Sequence, residues 1–192
     1  VWTNVLTGVV LAGGGASPLT LKALIIALSL FYVGGMYLND AFDSDFDARE
    51  RPERPIPTGL VSATTVFTSG YAMLAAGLAI LIWLGYGSAD GTGWPAPVTG
   101  IALAAAIIIY DWRHKNVPIS PVIMGICRML TYILAGFAGT SAAPPSLFAA
   151  GAVLLCYLIG LTYAASQETL GRVRNLWPMA FLAVPFFYGV PG

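Results

Sequence analysis

The sequence predicts an all-α polytopic membrane protein, and three observations carry that reading. Hydrophobic residues make up 57% of the 192 residues and charged residues only 9%, too little polar surface for a domain surrounded by water. The apolar residues fall in several runs of about 20 residues, enough to cross a bilayer as helices. Gly, Pro and charged stretches separate those runs. The formal net charge is zero and the basic residues form no single stripe, which argues against nucleic acid as a partner. Cys127 and Cys156 both lie in apolar runs without metal-ligand spacing and read as small buried hydrophobes.

Taken in order, Val1 to about Ala12 is a short apolar segment, and Gly13 to Pro18 breaks it. No basic region precedes it, so no cleavable signal peptide is expected at the start. Leu19 to Leu38 is a second helix, long enough to span, and it delivers a polar stretch to the membrane surface. Pro52, Pro55 and Pro57 keep that helix from running on. A third helix is expected over Ala63 to Tyr86, with a Gly- and Pro-rich turn from Gly87 to Pro97. The fourth covers about Val98 to Tyr110 and ends in the polar run Asp111 to Asn116. The fifth covers Pro118 to Gly139, and a sixth covers Leu147 to Ser166. After Gln167 to Asn175, Trp177 opens a further segment. The reading is a bundle of about six to seven helices in one domain over residues 1–192.

Threading these helices alternately across a bilayer puts the stretches 39–60, 111–117 and 167–175 on one side. They hold Arg49, Arg51, Arg54, Arg113, Lys115, Arg172 and Arg174. An excess of Lys and Arg marks the cytoplasmic face, so these charged loops are expected there. Trp83 and Trp94 fall near the opposite interface, and Trp112 and Trp177 near the cytoplasmic one, as an aromatic belt requires.

The chemistry is concentrated in one place. Six of the nine acidic residues lie between Asp40 and Glu53. On a helix Asn39, Asp43 and Asp47 recur every fourth position and stack along one face. Oxygen ligands so placed repel one another unless a cation sits among them, and Mg²⁺ suits a site that takes a few carboxylates and shares its shell with phosphate oxygens. Arg51 and Arg54 follow, and guanidinium groups grip phosphate in a fork. Together these residue types read as a diphosphate site; a solvated acidic loop between two helices is the bland alternative.

Asn39-x3-Asp43-x3-Asp47 followed by Arg51-Pro52-x-Arg54-Pro55-Ile56-Pro57-x-Gly59 resembles the first aspartate-rich motif of the UbiA superfamily of intramembrane prenyltransferases. The resemblance implies a UbiA-type helix bundle, of which this chain would be a fragment, since members generally have about nine membrane helices. It also implies Mg²⁺-dependent transfer of a prenyl group from an isoprenyl diphosphate to an aromatic or other lipophilic acceptor, in contact with membrane lipid. On that reading Asn39, Asp43 and Asp47 hold metal, and Asp40 contacts substrate beside them. Arg51 and Arg54 grip phosphate. Tyr110 and Lys115 resemble the family's Tyr-x4-Lys element, whose lysine helps to hold the diphosphate, and Arg172 joins them. Where the family carries a second aspartate-rich motif, this chain reads Tyr163-Ala164-Ala165-Ser166-Gln167-Glu168-Thr169, so Glu168 is the carboxylate left to stand in for a second metal site. A UbiA-like protein that binds or moves a lipophilic metabolite without chemistry is the other reading. The Asp-Gly…Ala-Arg…Gly signature of CDP-alcohol phosphotransferases is absent.

Arg128 stands about three turns into an apolar run. An arginine at that depth is expensive and faces the bundle interior or snorkels to the surface. A contact to diphosphate or to acceptor is the functional expectation.

Overall fold

The computed structural model describes residues 1–113, 119–170 and 177–188. Within them the chain forms α1 (Trp2–Leu11), α2 (Pro18–Phe42), α3 (Ser44–Glu50), α4 (Ala63–Tyr86), α5 (Pro95–Arg113), α6 (Ser120–Gly139) and α7 (Pro145–Leu170). A 3₁₀ turn over Trp177–Ala183 then leads into α8 (Val184–Tyr188). Five of these helices are long and apolar enough to cross a membrane, and the shorter apolar helices flank them at either end of the chain.

Local chemistry fixes the boundaries. Gly13 and Gly14 adopt φ of 103° and 71°, a region closed to ordinary side chains, and so end α1. Ser17 accepts a hydrogen bond from Thr20 N and Pro18 takes the first helical position, the standard way to satisfy an orphan donor at a helix start. Ser62 caps α4 in the same manner through Thr65 N. α5 begins at Pro95, earlier than expected, because proline fits the first turn, where no intrahelical donor is needed. It then continues through Asp111 to Arg113, so the polar stretch after Tyr110 starts as helix rather than loop. α7 likewise runs on to Leu170. Cys127 and Cys156 are half-buried free thiols rather than fully buried ones.

The core runs along α2. Leu24, Ala27, Leu28, Phe31 and Leu38 are buried against Leu74, Leu81 and Leu84 of α4, with Leu103 of α5, Leu134 of α6 and Val5 of α1 completing it. α2 and α4 share the most extensive interface, and small residues set its spacing. A Cβ on Gly34 would stand 2.9 Å from the Gly70 carbonyl, and one on Gly77 would stand 2.8 Å from the Phe31 ring. The two backbones therefore approach as closely as small residues permit between membrane helices.

The end of the bundle that matters is fixed by contacts between helix termini. Asn39 near the end of α2 donates to Asp111 near the end of α5 at 3.4 Å. Tyr110 on α5 faces Ser120 at the start of α6. Thr162 in the last turns of α7 donates to the Met124 sulfur at 3.7 Å. The polar ends of α2, α5, α6 and α7 thus share one end of the bundle.

Candidate active site

Two adjoining pockets occupy that end. The larger, about 440 Å³, is lined by Asn39 and Asp40 from α2, Tyr110 and Asp111 from α5, and Cys127 and Arg128 from α6, and continues along Leu28, Phe31, Leu103 and Thr131. That size is ordinary for a small-molecule site, as is a mainly apolar lining with a few convergent polar groups. From Asn39 to Leu28 the wall follows α2 for about 16 Å at 1.5 Å rise per residue. The cavity is therefore polar at the bundle end and apolar further in.

The smaller pocket, about 300 Å³, is built by the proline-rich loop after α3. Tyr37, Asp40, Asp47, Arg54, Ile56 and Val66 contribute to its wall. The loop holds its own shape: Thr58 Oγ1 donates to the Arg54 and Pro55 carbonyls at 3.0 and 3.1 Å, and Gly59 turns it with φ of 78°. Its anchor is Arg54, whose Nη1 lies 3.0 Å from Asp40 Oδ1 and 3.0 Å from Asp47 Oδ2. The Asp47 side chain is 2% exposed and that of Asp40 is 58% exposed. One half of this double pair is therefore desolvated and the other is wet.

The acidic stretch does not form one uninterrupted helix. α2 ends at Phe42, Asp43 caps it, and α3 begins at Ser44. The spacing survives because Asp43 N bonds to Asn39 O at 3.0 Å and Asp47 N to Asp43 O at 2.8 Å. Asp43 and Asp47 are both buried while Asp45 is exposed, a separation that follows from helical periodicity.

Of the residues singled out in the sequence, Asn39, Asp40, Tyr110 and Arg128 meet at the large cavity. Asp47 and Arg54 meet in the small pocket, and Asp40 borders both. Arg51 is exposed. Lys115 and Arg172 lie outside the described residues, as does the side chain of Glu168. Asp111 is the residue that sequence reasoning missed. It is 5% exposed, lines the cavity and accepts from Asn39. Its signal was a carboxylate at the end of the apolar run that closes on Tyr110.

The donor set suits a hard divalent cation. Oxygen ligands from carboxylates and an amide are what Mg²⁺ takes. Asp47 Oδ1 is buried without a hydrogen-bond partner, a state that a cation relieves. Among the described residues no three His, Cys, Asp or Glu side chains gather closely enough to form a closed metal cage.

Comparison with known proteins agrees with this fold. Over its full length the chain matches a solved structure of a digeranylgeranylglyceryl phosphate synthase in membranes, with a TM-score of 0.67, 15% identity and 74% of that chain covered. It is similar to a digeranylgeranylglyceryl phosphate synthase of Natronomonas pharaonis, with 30% identity over 76% of this chain and 50% of that protein. It is also similar to one of Methanothrix thermoacetophila, with 30% identity over 75% of this chain and 51% of that protein. A protoheme IX farnesyltransferase of Korarchaeum cryptofilum is 28% identical over 58% of this chain and 38% of its own length. The chain thus spans about half the length of the first two of these relatives. The model of the UbiA prenyltransferase family matches residues 1–189, and the chain belongs to that family.

Proposed function

We propose that this chain carries the donor-binding half of an integral membrane enzyme that transfers a prenyl group from an isoprenyl diphosphate to a lipophilic alcohol. The observation that carries the reading is the shape of the large cavity: Asn39, Asp40 and Asp111 at one end, and an apolar wall of Leu28, Phe31 and Leu103 at the other. A prenyl diphosphate has the same polarity along its length. The names of the digeranylgeranylglyceryl phosphate synthases to which the chain is similar favour geranylgeranyl diphosphate as the donor to test and a prenylated glyceryl phosphate as the acceptor. The polar end of the bundle is assigned to the cytoplasmic side, on the strength of the Arg and Lys residues carried by its loops.

Asn39, Asp43 and Asp47 would hold Mg²⁺, with Asp40 beside them toward the substrate. The ion's contribution is to neutralise charge on the departing diphosphate. On this reading Arg51, Arg54, Lys115 and Arg172 are the groups that grip phosphate oxygens, and Glu168 is the carboxylate available to the second acidic motif. As the donor C–O bond breaks, the allylic cation lies against Phe31, Tyr32 and Tyr110, whose ring faces favour positive charge. Leu28, Leu103 and Ile107 keep water from capturing it. The acceptor oxygen forms the new C–O bond, and its proton leaves with the diphosphate.

The test is turnover of radiolabelled geranylgeranyl diphosphate by the whole protein in membranes, with and without Mg²⁺, against prenylated glyceryl phosphate and aromatic acceptors. Mg²⁺-dependent product on the glyceryl phosphate acceptor is the expected result. Stretch 166–169 lacks aspartate, which favours a non-catalytic binder as the second reading. Mg²⁺-dependent donor binding without product on any acceptor would establish that second reading instead.

A further inference from the structure

The large cavity has a floor, and the register of the helices around it shows where that floor lies. Counted away from the polar end, its lining stops at Leu28 on α2, at Leu103 on α5 and at Thr131 on α6. One turn beyond these the same helices carry Leu24, Gly100 and Leu134, all buried and none of them lining the cavity. Leu24 and Leu134 are both 0% exposed. The three helices therefore leave the cavity at matching positions and close beneath it.

The closing layer is tightly packed. A Cβ on Gly100 would stand 3.7 Å from Leu134 Cδ1 and would collide with Leu81 Cδ1, so Gly100 lets leucines of α4 and α6 meet against the α5 backbone. Leu24, Leu81 and Leu134 belong to one buried cluster. Thr131, on the cavity side of that layer, is 8% exposed, and its hydroxyl donates to the Cys127 carbonyl at 2.9 Å. Its polar atom is thus satisfied within α6, and it serves the wall as a small, largely apolar residue. Interiors packed in this way do not yield space for several carbon atoms without cost.

We infer that Thr131, with Leu134 behind it, sets the longest prenyl tail that the site accepts. The inference rests on the transferase reading above, which holds the other end of the tail at the carboxylates. From Asn39 to Leu28 the wall is about 16 Å long. An extended chain advances about 1.2 Å per bond, so an isoprene unit of four bonds spans about 5 Å. Three units fit along the wall, a fourth reaches the floor, and a fifth finds the leucine layer in its way. A larger residue at position 131 raises the floor, and a smaller one at position 134 lowers it.

The experiment measures Mg²⁺-dependent retention of radiolabelled geranyl, farnesyl, geranylgeranyl and geranylfarnesyl diphosphate by the whole protein in nanodiscs, as wild type, Thr131→Leu and Leu134→Ala. The wild type is expected to hold the geranylgeranyl compound about tenfold more tightly than the geranylfarnesyl one. Thr131→Leu takes up the space of about two methylene groups, so affinity for the geranylgeranyl compound is expected to fall about tenfold. Affinity for the geranyl compound should shift less than about threefold. Leu134→Ala opens an apolar void next to the tail, which an apolar ligand fills, and should raise affinity for the geranylfarnesyl compound about tenfold. Thr131→Leu leaves the buried layer intact, so the test stands even where Leu134→Ala fails to fold. Equal wild-type affinity for the two longest tails, the result of a tail leaving sideways past the exposed Tyr32 and Met36, would overturn the inference. Equal loss on all four compounds in Thr131→Leu would do the same. If no diphosphate is retained, the transferase reading fails by itself, and the four prenyl alcohols then decide the floor: a Thr131→Leu loss confined to the longer pair upholds it, and equal retention overturns it.

Discussion

Arg54 offers the sharpest test of how the acidic motif works, because it acts as the motif's resident counter-ion. Replacing it with Gln removes a cation bonded at 3.0 Å to both Asp40 and Asp47. The Asp40 half is solvent-exposed and contributes little, about 0–1 kcal/mol. The Asp47 half is desolvated on the carboxylate side while Arg54 itself is 34% exposed, which discounts a buried pair to about 1–2 kcal/mol. A divalent cation must compete with that contact for the same oxygens. Without the competitor, the affinity for bare Mn²⁺ is expected to rise about 5- to 30-fold, at about 1.4 kcal/mol per tenfold. The stability of the metal-free protein is expected to fall by a similar amount. Diphosphate affinity should move the other way, since a phosphate-gripping group is lost. Electron paramagnetic resonance titration of Mn²⁺ in nanodiscs, first without and then with diphosphate, reads both effects, and Arg54→Lys should stay near wild type. Unchanged or weaker binding of bare Mn²⁺ in Arg54→Gln would refute the counter-ion argument.

Three further outcomes follow from the same geometry. Asp43→Ala and Asp47→Ala are expected to abolish Mg²⁺-dependent donor binding, measured by filter retention, while the exposed Asp45→Ala changes it less than about threefold; equal loss in all three would dismiss the spacing argument. Asp111→Asn keeps the shape of the contact to Asn39 but removes a charge from the cavity, and a drop of about 10-fold in Mn²⁺ affinity is expected by analogy with groups that orient metal ligands. Gly77→Ala places a methyl 2.8 Å from the Phe31 ring and 3.0 Å from the Ala27 carbonyl. It should lower stability by about 1–3 kcal/mol and push Phe31 into the cavity, raising the KM for geranylgeranyl diphosphate more than that for farnesyl diphosphate.

Much of the architecture was legible because hydrophobic run length and capping chemistry are local. α4 was expected over the residues it occupies, since the apolar run fills Ala63 to Tyr86 and Gly87 opens the turn after it; the structure adds the Ser62 cap. The interruption at Asp43 was not legible, as every-fourth spacing is equally compatible with one helix or with two joined by a cap. The Arg54 contacts depend on a proline loop folding back over seven residues to Asp47, which no helical periodicity encodes. Asp111 was passed over for a related reason: a lone carboxylate at the end of an apolar run reads as a loop residue until a neighbouring helix brings Asn39 to it. The role of Arg128 was open in the sequence, because depth in a helix can be counted but the presence or absence of a partner cannot.

The glycine contacts between α2 and α4 also divide the cavity wall mechanically. With Gly34 against the Gly70 backbone and Gly77 against Phe31, the helix that carries Asn39 and Asp40 can neither slide nor roll without colliding with its neighbour. On the transferase reading, admission of two lipid chains would then be met by displacement of the opposing staves, α5 and α6, which complete the cavity wall. The side that carries the carboxylates would be the anvil of the site, and the α5 and α6 side the part that yields.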